Sequence, residues 1–166
     1  MTLLRQARRL LAASLSAALV AGTLDMLFAC TFWGLHGVHP SRIMQSVAAG
    51  VLGPSSFEGG AGTAALGLGL HYAITLAMAA VYFAAAWRLA LLRQRPWLCG
   101  GLYGLVLFAV MQNIVLPLSV AGPSPDDPAW VLSTMAAHVL LVGIPIAWMA
   151  RDGGVHSRFP APGALR

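Results

Sequence analysis

Four long apolar stretches, each carrying only a few polar side chains, divide the chain at approximately 10–33, 61–87, 97–120 and 129–150. At about 1.5 Å of rise per residue, each can cross about 30 Å of hydrocarbon as an α-helix. Backbone N–H and C=O groups in that medium must be satisfied within the segment, which selects helix over an open strand. The expected fold is all-α: a polytopic four-transmembrane-helix bundle forming a single domain over 1–152. Tryptophans bracket the stretches, with Trp33 and Trp130 toward one side and Trp87, Trp97 and Trp148 toward the other. Amphipathic indole rings take such positions at headgroup level.

A shorter pattern lies between the first two spans. His39-Pro40-Ser41 reads as a helix start and Gly53-Pro54 as a stop. Ile43, Met44, Val47 and Val51 recur on one face, with Arg42, Gln45 and Ser46 elsewhere. The run is too short to span. Over 41–53 it is expected as an interfacial helix on the outer leaflet, with a re-entrant segment as the alternative. The turn at Arg93–Pro96 predicts spans two and three as antiparallel neighbours, and the turn over 122–128 does the same for spans three and four. Beyond Asp152 the chain is rich in Gly and Pro, so 153–166 is expected as a disordered cytoplasmic tail. No internal repeat is visible.

Composition and charge then fix the class and the orientation. Hydrophobic residues make up 58% of the chain and charged residues 9%, against about 25% charged in a soluble domain. All ten positive charges are arginines. Nine of them (Arg5, Arg8, Arg9, Arg88, Arg93, Arg95, Arg151, Arg158 and Arg166) fall on one side of the four-span plan, and only Arg42 falls on the other. Cytoplasmic loops retain Arg and Lys, which places both termini in the cytoplasm of a multi-pass protein of the bacterial inner membrane. Attraction of these short groups to anionic lipid headgroups explains the net charge of +5 better than nucleic acid does, so the expected partner is the bilayer and not a nucleic acid. The basic Arg5–Arg9 region and the apolar run after it imitate a signal peptide. That run continues to Trp33, however, beyond the about 7–15 residues of a secretory h-region, and is read as an uncleaved first span.

Each span also contains polar groups that hydrocarbon rejects: Asp25, His71, Gln112 with Asn113, and His138. Arg9 to Asp25, Trp87 to His71 and Trp97 to Asn113 are all separations of sixteen residues, about 24 Å of helix. Trp33 to Asp25 and Trp130 to His138 are both eight, about 12 Å. Alternating spans thus bring the five residues into one layer in the outer half of the bilayer. Small residues mark faces where membrane helices approach closely. Ser14, Ala18 and Gly22 lead to Asp25; Thr63, Gly67, His71, Thr75 and Ala79 form a stripe; Gly100 and Gly104 lead to Gln112. Pro117 and Pro145 remove the N–H groups owed to the carbonyls of Asn113 and Leu141 in a regular helix, freeing two acceptors nearby. An intramembrane carboxylate must be protonated or find a donor, so the layer is a candidate site for protons or a small cation.

Two other classes stay open. His71 and His138, on different spans, admit a bis-histidine haem b as the alternative cofactor, and polar bonds between spans also serve packing alone in a structural or partner subunit. Oligomerisation through Gly100-x-x-x-Gly104, with a second copy or another membrane protein, is a further expectation. No catalytic residues are assigned and the reading is not an enzyme, because Ser14, Ser16 and Ser119 lack a His/Asp arrangement for nucleophilic catalysis. His36, His39 and Glu58 match no metal-site spacing. Cys30 and Cys99 lie near opposite ends of the bilayer, too far apart for a disulfide. Tyr72, Tyr82 and Tyr103 are expected to pack.

From His71 onward the chain resembles the YagU-like bacterial inner-membrane proteins. The shared pattern is His71-Tyr72, Trp97-Leu98-Cys99-Gly100-Gly101, Pro117-Leu118, the proline-rich turn after it, His138 and Arg151-Asp152. It covers about half of the chain, 71–152, and the segment Ser41–Gly53 departs from it. The resemblance implies topology and location and carries no reaction.

Overall fold

The computed structural model describes residues 2–121 and 125–152, and all of the regular structure among them is helical. Helix α1 runs Thr2–Leu35, α2 Pro40–Leu52, α3 Gly60–Arg88, α4 Ala90–Gln94, α5 Pro96–Leu118 and α6 Pro128–Arg151. A 3₁₀ segment, Gly53–Glu58, joins α2 to α3. Four of these, α1, α3, α5 and α6, are long and apolar enough to cross a membrane. The chain is a multi-pass, four-span helical membrane protein. Large apolar side chains such as Leu11, Leu102 and Leu132 point outward, an arrangement that lipid stabilises and water does not. The expected tail over 153–166 and part of the turn over 122–128 lie outside the described residues.

The ends of the helices follow local chemistry. His39 caps α2, its ring nitrogen accepting from Ser41 N–H at 3.3 Å, with Pro40 in the first turn. Asp127 caps α6 by accepting from Ala129 N–H at 3.0 Å, again followed by a proline. Gly53, at φ +64°, ends α2 in a conformation that a side chain resists. The link between spans two and three differs from the single tight turn predicted. The chain breaks at Leu89, which is extended, and makes the one-turn α4 before Pro96 starts α5. Side chains set this shape: Tyr82 donates to Leu92 O at 3.0 Å, and Arg93 donates to Ala86 O.

Close backbone approaches join α1 to α3, α1 to α6 and α5 to α6. The last of these is built on glycine. A Cβ on Gly100 would stand 2.8 Å from Ile144 Cα and 2.9 Å from Gly143 O, and one on Gly104 2.6 Å from Val139 Cα. The Gly100/Gly104 stripe is therefore occupied by the fourth span of the same chain and is not an open face for oligomerisation. Spans two and three, predicted as neighbours, keep their backbones farther apart. They meet through tyrosines: Tyr103 donates to Met78 O at 2.7 Å, and its ring lies 5.0 Å from that of Tyr82.

Helix α2 packs across the first two turns of α3. A Cβ on Gly67 would stand 2.7 Å from the Met44 carbonyl carbon and 3.1 Å from Ala48 N, so the two backbones touch there. The far end of α2 holds the end of α5, with Val120 N–H donating to Gly50 O at 3.2 Å. Its buried face carries Ile43, Gln45, Ala48 and Ala49, while Val51 is exposed. Gln45, expected off the packing face, donates to Gly60 O at 3.0 Å and to Thr63 Oγ1 at 3.3 Å. A close crossing favours small residues such as Ala48 and Ala49 at the point of contact.

Candidate functional site

The half of the bundle nearer the arginine-rich ends is solid. Ala17, Ala18, Ala21, Ala79, Phe83, Ile146 and Ala147 pack there into one buried cluster. The other half is hollow. It holds a partly open cavity of about 500 Å³ whose wall is drawn from all four spans and α2. Two wide helical turns shape it. Met111–Val115 in α5 and His138–Gly143 in α6 are π-helical, with Leu116 N–H bonded to Met111 O and Ile144 N–H to Val139 O. Each stands just ahead of a proline. π-Turns inside α-helices recur at functional sites because they redirect side chains by part of a turn.

Asp25, His71, Gln112 and His138 all line this cavity. Asn113 does not: it is exposed on the lipid-facing side of α5 and donates from Nδ2 to Ala109 O at 2.8 Å on its own helix. The wide turn explains the division, since it sets which of the adjacent amides faces inward. It also moves the acceptors expected from the prolines. With bonding to residue i−5, the amide that Pro117 and Pro145 lack is the one owed to Gln112 and Leu140, one position earlier than in a regular helix.

The two histidines are fixed by backbone carbonyls. His71 Nε2 donates to Gly22 O at 2.8 Å, bridging spans two and one. That contact requires close approach at Gly22, where a Cβ would stand 3.0 Å from the Tyr72 ring. Thr75 Oγ1 in turn donates to His71 O at 2.8 Å. His138 Nδ1 donates to Thr134 O at 2.9 Å, and its ring stands edge-on to Phe108, 5.9 Å between centroids. Each histidine thus spends one nitrogen on a carbonyl and keeps the other, Nδ1 of His71 and Nε2 of His138, for another partner. Asp25 is half-buried on α1, and among the described residues its carboxylate makes no hydrogen bond or ion pair, with either histidine or otherwise. A carboxylate, an amide and two imidazoles thus line one largely apolar cavity.

Several wall residues were not assigned to the site from sequence. Arg42, the one arginine on the minority side, lines the cavity from α2 and holds its guanidinium 4.8 Å from the centre of the Phe57 ring. Its isolation from the other nine was the available signal. Phe28, Trp33 and Trp130 line the wall as well, and Trp130 packs against the other two at 6.0 and 5.1 Å between centroids. Read as a membrane belt, these rings also pin span four to span one.

The lesser candidates fall apart in space. His36 Nδ1 bonds Phe32 O at 2.8 Å and His39 serves as a cap. Among the described residues no group of three His, Cys, Asp or Glu side chains is placed to hold a metal ion. Cys30 and Cys99 are free thiols. Comparison with family models, with curated proteins and with solved structures gives no match to the chain.

Proposed function

We propose that this is an inner-membrane protein with both termini in the cytoplasm, whose cavity in the outer half of the bilayer binds a proton or a cation at Asp25. The observation that carries the reading is the carboxylate of a membrane span lining the same cavity as two imidazoles, with no hydrogen-bond or charge partner among the described residues. The nine-to-one division of arginines supports the orientation. In this reading backbone carbonyls fix the two histidines while Asp25 is the group that binds the proton or cation.

Melting curves of the purified protein from about pH 5 to pH 8, spanning the ordinary histidine range, test it. Each proton by which folded and unfolded states differ tilts stability by about 1.4 kcal/mol per pH unit. The wild type should show such a tilt, and the near-isosteric Asp25→Asn should fold and flatten it. Superimposable pH profiles would leave the polar layer as packing only. A second reading has one observation in its favour: His71 and His138, and Arg42 as a counter-charge for a propionate, all line the same cavity. A haem b held there gives a Soret band that His71→Ala removes, and its absence from protein expressed with haem supplied disposes of that reading.

A further inference from the structure

We propose that the occupant of the cavity is a lipophilic organic cation, an ammonium with apolar substituents, which exchanges with a proton at Asp25. The inference rests on the reading of Asp25 as the ionisable member of the site and names the class of ligand it takes. Size argues first. At about 500 Å³ the space is that of a small-molecule pocket, and among the described residues no group of three His, Cys, Asp or Glu side chains is placed to hold a metal ion.

The wall chemistry argues next. Phe28, one turn beyond Asp25 on α1, lines the cavity with Trp33 and Trp130, and Met26, Met78 and Met111 add polarisable surface. Aromatic faces are electron-rich and hold alkylammonium groups, while a carboxylate supplies the counter-charge. An anion would meet the same faces and the same carboxylate unfavourably.

Four titratable or charged groups face the space: Asp25 from α1, Arg42 from α2, His71 from α3 and His138 from α6. Arg42 is exposed on the short helix outside the spans and already stacks on Phe57, so it needs no anionic ligand. The histidines each give one N–H to a carbonyl. Among the described residues, Asp25 is the one of these groups within a span that makes no hydrogen bond or ion pair, and it is negative when charged. Binding of the cation and of the proton at one carboxylate are then mutually exclusive, and each weakens the other reciprocally.

The two charged walls give a test whose sign identifies the ligand. The full chain in nanodiscs at fixed ionic strength is titrated with benzyltrimethylammonium, and with neopentylbenzene as its uncharged carbon isostere, following Trp33 and Trp130 fluorescence and calorimetry. The cation should bind saturably and more weakly at low pH, and the isostere should bind about tenfold more weakly or worse. Asp25→Asn should raise the Kd for the cation about tenfold or more, Asp25→Glu should largely restore it, and Arg42→Gln should leave it unchanged or lower. Equal binding of the isostere, or an Asp25→Asn variant with wild-type affinity, overturns the proposal. Weaker binding of the cation in Arg42→Gln would also overturn it, because removing a positive charge from the wall cannot weaken a cation held by its charge. If the cation does not bind while Asp25→Asn still flattens the pH dependence of melting, the ligand class is wrong and the protonation reading stands.

Discussion

Substitution of Gly67 by alanine probes the contact that holds α2 over the cavity. The added Cβ would stand 2.7 Å from the Met44 carbonyl carbon and closer still to its oxygen, both backbone atoms that cannot turn aside. Restoring an ordinary carbon–carbon separation of about 3.5 Å moves α2 outward by about 1 Å. That displacement stretches the Gln45 bonds to Gly60 O and Thr63 Oγ1, now 3.0 and 3.3 Å, each contributing about 0.6 kcal/mol in a membrane bundle. Overpacking itself costs about 1–3 kcal/mol. The gain in helix propensity from Gly to Ala, about 1 kcal/mol, opposes it. Gly69 supplies the control, because a Cβ there meets nothing within 4 Å and the propensity gain is the same. Reversible unfolding in mixed micelles should therefore place Gly67→Ala about 2 kcal/mol below Gly69→Ala, and a reporter on α2 should lose protection first. Equal stability of the two variants would refute the close crossing, and with it the position of Arg42 in the cavity wall.

Two further outcomes follow from the same geometry. In intact cells, a membrane-impermeant maleimide should label Asp126→Cys and not Gln94→Cys, and the reverse pattern would invert the orientation. Asn113→Leu should leave the pH dependence of melting at its wild-type slope because its side chain lies outside the cavity, whereas Gln112→Leu should change it; equal effects of the two would contradict the wide turn in α5.

The spans were legible because hydropathy and tryptophan position are local properties, and each observed helix overlaps its predicted stretch. Helix α2 was legible from its proline start and glycine stop. Its packing face was not: Ala48, Ala49 and Gln45 are chosen by the approach of Gly67, a residue of another helix. The break at Leu89 has no glycine or proline to announce it and depends on Tyr82 and Arg93 reaching across. Counting residues from the tryptophans grouped Asp25, His71 and His138, which line one cavity. Choosing between Gln112 and Asn113 needed the π-turn, whose rotation a regular 3.6-residue period does not include. The glycines at Gly100 and Gly104 marked a close helix contact, but sequence alone did not say that Gly143 of the same chain fills it.

In the proposed function Asp25 takes up and gives up a proton inside the membrane, and infrared difference spectroscopy observes that group directly. Spectra of the reconstituted protein recorded across a pH titration should show a protonated carboxyl C=O band in a low-polarity environment. That band should diminish as pH rises, shift with isotopic labelling of aspartate, and be absent from Asp25→Asn. A carboxyl band that persists unchanged in Asp25→Asn, or an Asp25 signal that does not respond to pH, would contradict the account.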